Sequence, residues 1–178
     1  MAFLPMNAKE MRDRGWSEVD FVYVCGDSYV DHPSFGAAII TRVLEDCGYK
    51  TAFLAQPNWK NDDDFTQFGK PRLGFMVSAG NIDSMVAHYT VAKRKRHDDA
   101  YTAGGKNGRR PDRAVTVYCN IIRKLYPDSP IIIGGLEASL RRFAHYDYWK
   151  NEVMPSVLFD SKADIISYGM GELQTIEM

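Results

Sequence analysis

The run Pro130, Ile131, Ile132, Ile133, Gly134, Gly135 followed by Leu136 to Arg142 constrains the fold more than any other stretch. Three consecutive β-branched residues, bounded by a proline and a glycine pair, read as a short strand buried on both faces, as in parallel sheets. Gly134 and Gly135 let the backbone turn sharply and leave room for a close approach. A helical segment follows. Strand, glycine turn and helix in that order is the unit from which open α/β sheets assemble their ligand-binding edge.

The same unit recurs along the chain. Val19–Cys25 reads as a first strand ending at Gly26, and Ser34 stands as N-cap of a helix carrying Ile39, Ile40, Val43 and Leu44, with Gly48 as its C-terminal stop. Thr51–Ala55 is a second strand, followed by a brief element through Asp62–Asp64, Phe65 and Phe68. Leu73–Ser78 is a third, with Asn81 capping the next helix. Residues 97–112 form a long glycine-rich, basic loop without periodicity, and a loop of this length is functional or mobile. Asp112 starts a helix whose apolar face is Ala114, Val117, Tyr118, Ile121, Ile122 and Leu125. After an aromatic stretch from Phe143 to Trp149, Ala163–Tyr168 reads as the last strand, exiting at Gly169.

Five strands alternating with helices predict an α/β fold: an open, mainly parallel five-stranded sheet with helices on both faces, flavodoxin-like, in one domain spanning residues 1–178. Four of the five strands leave at or within two residues of a glycine, at Gly26, Gly80, Gly134 and Gly169. A flavodoxin-like order would set Gly26–His32 and Ser78–Asn81 across a shared crevice. The candidate binding rim therefore comprises Gly26, Asp27, Ser28, Asp31, His32, Ser78, Gly80, Asn81, Gly134, Gly135, Glu137, Arg142, Gly169, Gly171 and Glu172.

Two readings of the first strand exit stay open. Asp27, Ser28, Asp31 and His32 could hold a phosphate or cofactor tail, with His32 as ligand or acid/base; alternatively Asp27 and Asp31 fix the turn by side-chain hydrogen bonds. Glu137 and Arg141 stand at i, i+4, the spacing of an intrahelical ion pair, while Arg142 could fork onto an anion. Gly104 to Arg110 resembles a phosphate loop only superficially, since it lacks the G-x-x-x-x-G-K-[ST] spacing and a preceding strand. His88, His97 and His145 form no metal-ligand pattern with the cysteines. No Ser-His-Asp set, HExxH or paired-cysteine motif is present, so the chain by itself carries no complete catalytic apparatus.

A net charge of -1 gives no overall attraction to nucleic acid or an anionic membrane. Locally, Lys93–Arg113 holds eight Lys/Arg against three Asp/Glu, leaving 14 against 20 on the remainder, so an RNA- or protein-docking role for this patch is an alternative. Cys25, Cys47 and Cys119 are three, far apart and set in apolar runs, which fits buried free thiols in a reducing cytoplasm. The opening residues are too short an apolar run for a signal peptide, and no run approaches the ~20 residues that cross a bilayer, so no membrane partner is expected.

Long phrases of this sequence resemble the N-terminal region of the YgiQ-type radical SAM proteins. They are Phe3–Met6, Gly26–Gly36, Ser78–Met85, Tyr101–Lys106, Arg110–Arg113, Ile132–Phe143 and Tyr168–Glu172. The resemblance implies an accessory, cobalamin-binding-like domain of a longer enzyme. That enzyme's C-terminal radical SAM barrel would be this domain's partner, and would carry a 4Fe-4S cluster on a Cys-x-x-x-Cys-x-x-Cys motif and cleave S-adenosylmethionine to a carbon radical. This chain has no such cysteine triplet, so neither cluster nor S-adenosylmethionine is expected in it. The motif Asp-x-His-x-x-Gly of cobalamin-binding domains is not met, because Asp31 directly precedes His32 and Gly36 lies four residues beyond it. Tight cobalamin binding is therefore not expected. A cobalamin- or nucleotide-binding module without catalysis of its own is the other alternative, and the substrate class, small molecule, RNA or protein, stays open.

Overall fold

A computed structural model describes residues 2–178. Its centre is a five-stranded, wholly parallel sheet: β1 (Phe21–Cys25), β2 (Thr51–Ala55), β3 (Gly74–Ser78), β4 (Ile131–Gly134) and, at the edge, the fifth sheet strand Ile165–Ile166. The spatial order is second, first, third, fourth, fifth, the flavodoxin-like arrangement. Cys25 pairs with Ala55 on one side and with Ser78 on the other, and Ser78 pairs in turn with Gly134, so these strand ends are level.

Alternation along the strands sends residues to two separate cores. Val22, Val24, Phe75, Val77, Ile131 and Ile133 face the helix Ala114–Leu125, which buries Ala114, Val115, Tyr118, Cys119 and Ile122. Phe21, Tyr23, Met76 and Ile132 face the helix Gly36–Asp46 through Leu44, Ala37 and Ile40. Helices therefore cover both faces, as the sequence predicts. In chain order they are α1 (Ala8–Asp13), α2 (Gly36–Asp46), α3 (Asp63–Thr66), α4 (Ser84–His88), α5 (Ala114–Leu125), α6 (Gly135–Leu140), α7 (Val157–Ser161) and α8 (Glu172–Glu177). A small antiparallel hairpin, β5 (His145–Asp147) and β6 (Glu152–Met154), intervenes before the edge strand, β7 (Ile165–Ile166). The aromatic content of 143–154 gave no sign of that hairpin.

Several local expectations are corrected. Phe35, not Ser34, occupies the N-cap of α2 and makes no side-chain cap. Asp83 caps α4 by accepting from the Met85 and Val86 N–H groups, so Asn81 is released for another role. Val115 and Cys119 complete the fully buried face of α5, with Ile121 and Leu125 only partly buried against the same core and Val117 half-buried. Cys25 and Cys119 are buried, but Cys47 is exposed at the end of α2. Residues 97–112 are irregular apart from one turn of 3-10 helix at Ala103–Gly105 and an isolated antiparallel bridge between Asp98 and Lys106.

Candidate functional site

The carboxyl ends of β1 and β3 approach so closely that neither Gly26 nor Gly80 has room for a side chain of its own. A Cβ on Gly26 would lie 2.3 Å from the Ala79 carbonyl oxygen, and one on Gly80, whose φ is +108°, would lie 2.0 Å from Asp27 Oδ1. Into this junction comes Arg110 from the 97–112 segment, 1% exposed. Its Nη1 donates to the Ala79 carbonyl at 2.7 Å, and its Nη2 donates to both Asp99 carboxylate oxygens at 3.0 and 2.9 Å. Asp27 Oδ1 lies 2.9 Å from Nη1 as an ion contact, while Asp27 Oδ2 accepts the Asn81 main-chain N–H at 2.7 Å.

One buried guanidinium thus serves two buried carboxylates. Burial pushes Asp27 up to about 6 even against the pull of Arg110. Ser28 extends the same seam: its N–H donates to the Tyr101 carbonyl and its Oγ accepts the Ala103 N–H. Gln56, which crosses from β2, donates to the Gly26 carbonyl at 2.9 Å and to Thr102 Oγ1 at 2.7 Å. The long loop is therefore fastened across the first strand ends. Arg110 is removed from the basic patch, and Arg113 is engaged with Asp147 at 2.6 Å. Lys93 sits over the Tyr148 ring, 4.7 Å from its centroid.

Because this seam is filled, the open space lies one step along the sheet. A cavity of about 250 Å³ opens between α2 and α8 on one side and the ends of β3, β4 and β7 on the other. Its floor is Tyr23, Met76 and Ile132, with Ala37 and Ile40 of α2 as one wall. Ser78, Gly80, Asn81, Gly134, Gly135, Gly169, Gly171 and Glu172 all line it, so eight of the fifteen rim residues converge.

The other seven do not line it. Gly26, Asp27 and Ser28 belong to the filled seam just described. Asp31 pairs with Arg42 of α2, which holds its carboxyl below the usual range. His32 is exposed, accepts the Ser34 N–H on Nδ1, and lines a shallow hollow on another side of α2 with Pro33 and Arg42. Glu137 is 1% exposed and turned inward. Its Oε2 accepts the Ser84 N–H at 2.8 Å and the Ser84 hydroxyl at 2.5 Å, and its Oε1 accepts the Val115 N–H at 3.1 Å. The expected Glu137–Arg141 ion pair is not formed, because Arg141 pairs with Asp83 instead. Arg142 lies on the surface between the Phe143 and Tyr168 rings, at 4.9 and 5.2 Å from their centroids.

Sequence reasoning missed Tyr23, Ala37, Ile40 and Thr175 as cavity residues, since each reads as ordinary core. It also counted Arg110 in the basic patch of Lys93–Arg113, whereas the side chain is buried, and its position before Pro111 carries no sign of that. Among the described residues, no three His, Cys, Asp or Glu side chains converge as a metal site. Cys25 and Cys119 belong to opposite sheet faces and Cys47 to the exterior, so the cysteines do not fit an iron–sulfur cluster.

A family model described as Radical SAM N-terminal matches residues 3–178. A UPF0313 protein of Clostridium botulinum strain 657 is 60% identical over 178 residues, covering 100% of this chain and 28% of that protein. A UPF0313 protein of Clostridium perfringens strain 13 is 58% identical over 176 residues, covering 99% of this chain and 27% of that protein. The chain thus spans little more than a quarter of the length of these relatives. No solved structure matches it.

Proposed function

This chain belongs to the radical SAM N-terminal family, and on that premise we propose that it is an accessory domain whose cavity-bearing rim packs against the catalytic barrel of a longer radical SAM enzyme. The family implies a 4Fe-4S cluster and S-adenosylmethionine in the parent protein; the cysteines of this chain do not fit the cluster, and the domain's own contribution is to bind and position.

The observation that carries this reading is the distribution of exposed apolar side chains. Of the 18 large hydrophobic residues exposed among the described ones, 13 fall within residues 136–178. Leu136, Leu140, Tyr168, Met170 and Leu173 stand on or beside the elements that frame the cavity, and Met170 is 84% exposed. Exposed apolar side chains gathered on the elements around one cavity mark an interaction site. In relatives more than three times as long, the rest of the same polypeptide is the natural occupant. No helix among the described residues is long and apolar enough to cross a membrane. We place the domain in the reducing cytoplasm, which its free cysteines suit.

The test is to extend the chain past Met178, reconstitute the cluster anaerobically and assay reductive cleavage of S-adenosylmethionine. Cleavage that is retained with residues 1–178 present and falls on their deletion is the expected result. A continuation without a Cys-x-x-x-Cys-x-x-Cys motif, or cleavage of substrate indifferent to the domain, would remove the proposal.

A further inference from the structure

We propose that two adjoining turns, at residues 88–96 and 98–107, together with Arg109, form a docking surface for the phosphate backbone of a nucleic acid. This goes beyond the accessory role proposed above and does not depend on it.

The cations that the fold leaves free are the first ground. Of the eight Lys/Arg between Lys93 and Arg113, two are withdrawn: Arg110 is buried against Asp99 and the Ala79 carbonyl, and Arg113 pairs with Asp147. Lys93, Arg94, Lys95, Arg96, Lys106 and Arg109 remain, all exposed, and none of them takes part in an ion pair among the described residues. The carboxylates of the segment are largely committed. Asp99 is held by Arg110, and Asp112 accepts the Tyr89 hydroxyl at 2.7 Å and meets His88 Nδ1 at 2.6 Å, which leaves Asp98. On a chain whose net charge is -1, this local excess of positive charge draws a polyanion to one place.

The backbone holds these cations in a fixed arrangement. Residues 88–96 fold back on themselves: the Arg96 N–H donates to the His88 carbonyl at 2.7 Å, the Thr90 N–H donates to the Arg94 carbonyl at 2.8 Å, and Lys93 takes a left-handed φ of +58° at the tip. The second turn is closed by the bridge between Asp98 and Lys106 and by the Asp99 N–H donating to the Gly105 carbonyl at 3.0 Å. Asn107 joins the two turns, its side-chain amide donating to the Arg96 carbonyl at 2.8 Å. Ser28 and Arg110 fasten the second turn to the carboxyl ends of β1 and β3, the sheet edge that also bears the cavity. Charges carried on anchored turns lose less freedom on binding than charges on a loose chain.

Surface composition selects among polyanions. A protein partner needs an apolar centre from which charge is depleted, and between residues 90 and 111 the one large exposed hydrophobic side chain is Val91. A bilayer is held stably by a basic patch only alongside a second, apolar anchor. A run of phosphodiesters asks only for cations spread over a surface, and the guanidiniums of Arg94, Arg96 and Arg109 can fork onto phosphate oxygens. Arg96 spends its Nε on the Val86 and Tyr89 carbonyls, both at 3.2 Å, which leaves its two terminal nitrogens for an anion. Contacts of this kind read charge and not base sequence.

Fluorescence anisotropy of the 178-residue chain with labelled oligouridylate and oligothymidylate of about twelve nucleotides tests the inference. Contacts to about four to six phosphates predict a log–log salt slope of about -3 to -4, so affinity should fall about 50- to 300-fold between about 50 and 200 mM salt. The ribose and deoxyribose strands should bind within about threefold of each other, because phosphates are what is read. Arg94→Gln, Lys95→Gln and Arg109→Gln together should weaken binding by about tenfold or more. Lys9→Gln, Lys60→Gln and Lys70→Gln, equally exposed and equal in charge change but outside the patch, should weaken it by less than about twofold. Absent binding at about 50 mM salt, a flat salt response, equal losses in two triple variants that melt like the native chain, or a preference above about tenfold for one sugar would overturn the inference. So would polyglutamate or phosphatidylglycerol vesicles competing as well as the oligonucleotide at equal charge, which would make the partner an acidic protein or a membrane.

Discussion

Asp27 shows how one residue can look like a ligand site in the sequence and be spoken for in the fold. It follows the first strand in a polar turn, where a carboxylate could bind something, yet it is 2% exposed and held between Arg110 and the Asn81 N–H. With Asp99 sharing the same guanidinium, the buried group carries two carboxylates for one cation. Its folded pKa, about 6, lies above the ordinary value of 3.8. Stability from this group is therefore fully present below the unfolded value and is lost as pH rises through about 6. Asp27→Asn should flatten that dependence: between pH 4 and 7 the stability of the native chain relative to D27N should fall by on the order of 2 kcal/mol in urea denaturation. A flat difference would show that Asp27 is ionised throughout. Asp147 runs the other way, since Arg113 and the Lys150 N–H hold it at about 2, despite burial, and its contribution is lost only as pH falls toward that value.

At the scale of elements, Glu137 ties together the N-terminal ends of two helices from a third. From α6 it satisfies the first N–H of α4 and the Val115 N–H in the first turn of α5, while Ser84 Oγ accepts the Ala114 N–H. Free donors in a helix's first turn need a partner when buried. Glu137→Ala should therefore destabilise the chain by about 3 kcal/mol, and Glu137→Gln by less, because one amide oxygen can still accept. Equal stability of E137A and the native chain in denaturant titration would mean that these ends are hydrated instead. The i, i+4 spacing with Arg141 pointed to a surface ion pair worth little. Where α6 sits on β3 and β4 decided otherwise, by turning Glu137 toward the core.

Across the whole molecule, the unevenly placed apolar surface is the feature with functional weight. Leu140 and Leu173 are 60% and 73% exposed, so replacing both by serine should leave the 178-residue chain within about 0.5 kcal/mol of its native stability. In the extended protein the same pair should weaken docking, read as faster hydrogen exchange of α6, β7 and α8. Unchanged exchange would show that this surface faces solvent in the parent as well. What the sequence alone determined was the sheet: runs of β-branched residues punctuated by glycine, alternating with helical periodicity, specify parallel strands, their order by analogy and their shared carboxyl edge. Only the tertiary structure decided which part of that edge is open. Arg110 reaches Ala79 from 31 residues away and fills the gap between β1 and β3, Ser28 and Gln56 meet across 28 residues at the neighbouring ends of β1 and β2, and Tyr23, Ile40 and Thr175, each indistinguishable from core in the sequence, come together to enclose the cavity beside them. Periodicity reports which face a residue takes; which faces then meet, and what space is left between them, depends on contacts distant in sequence, and no local pattern encodes those.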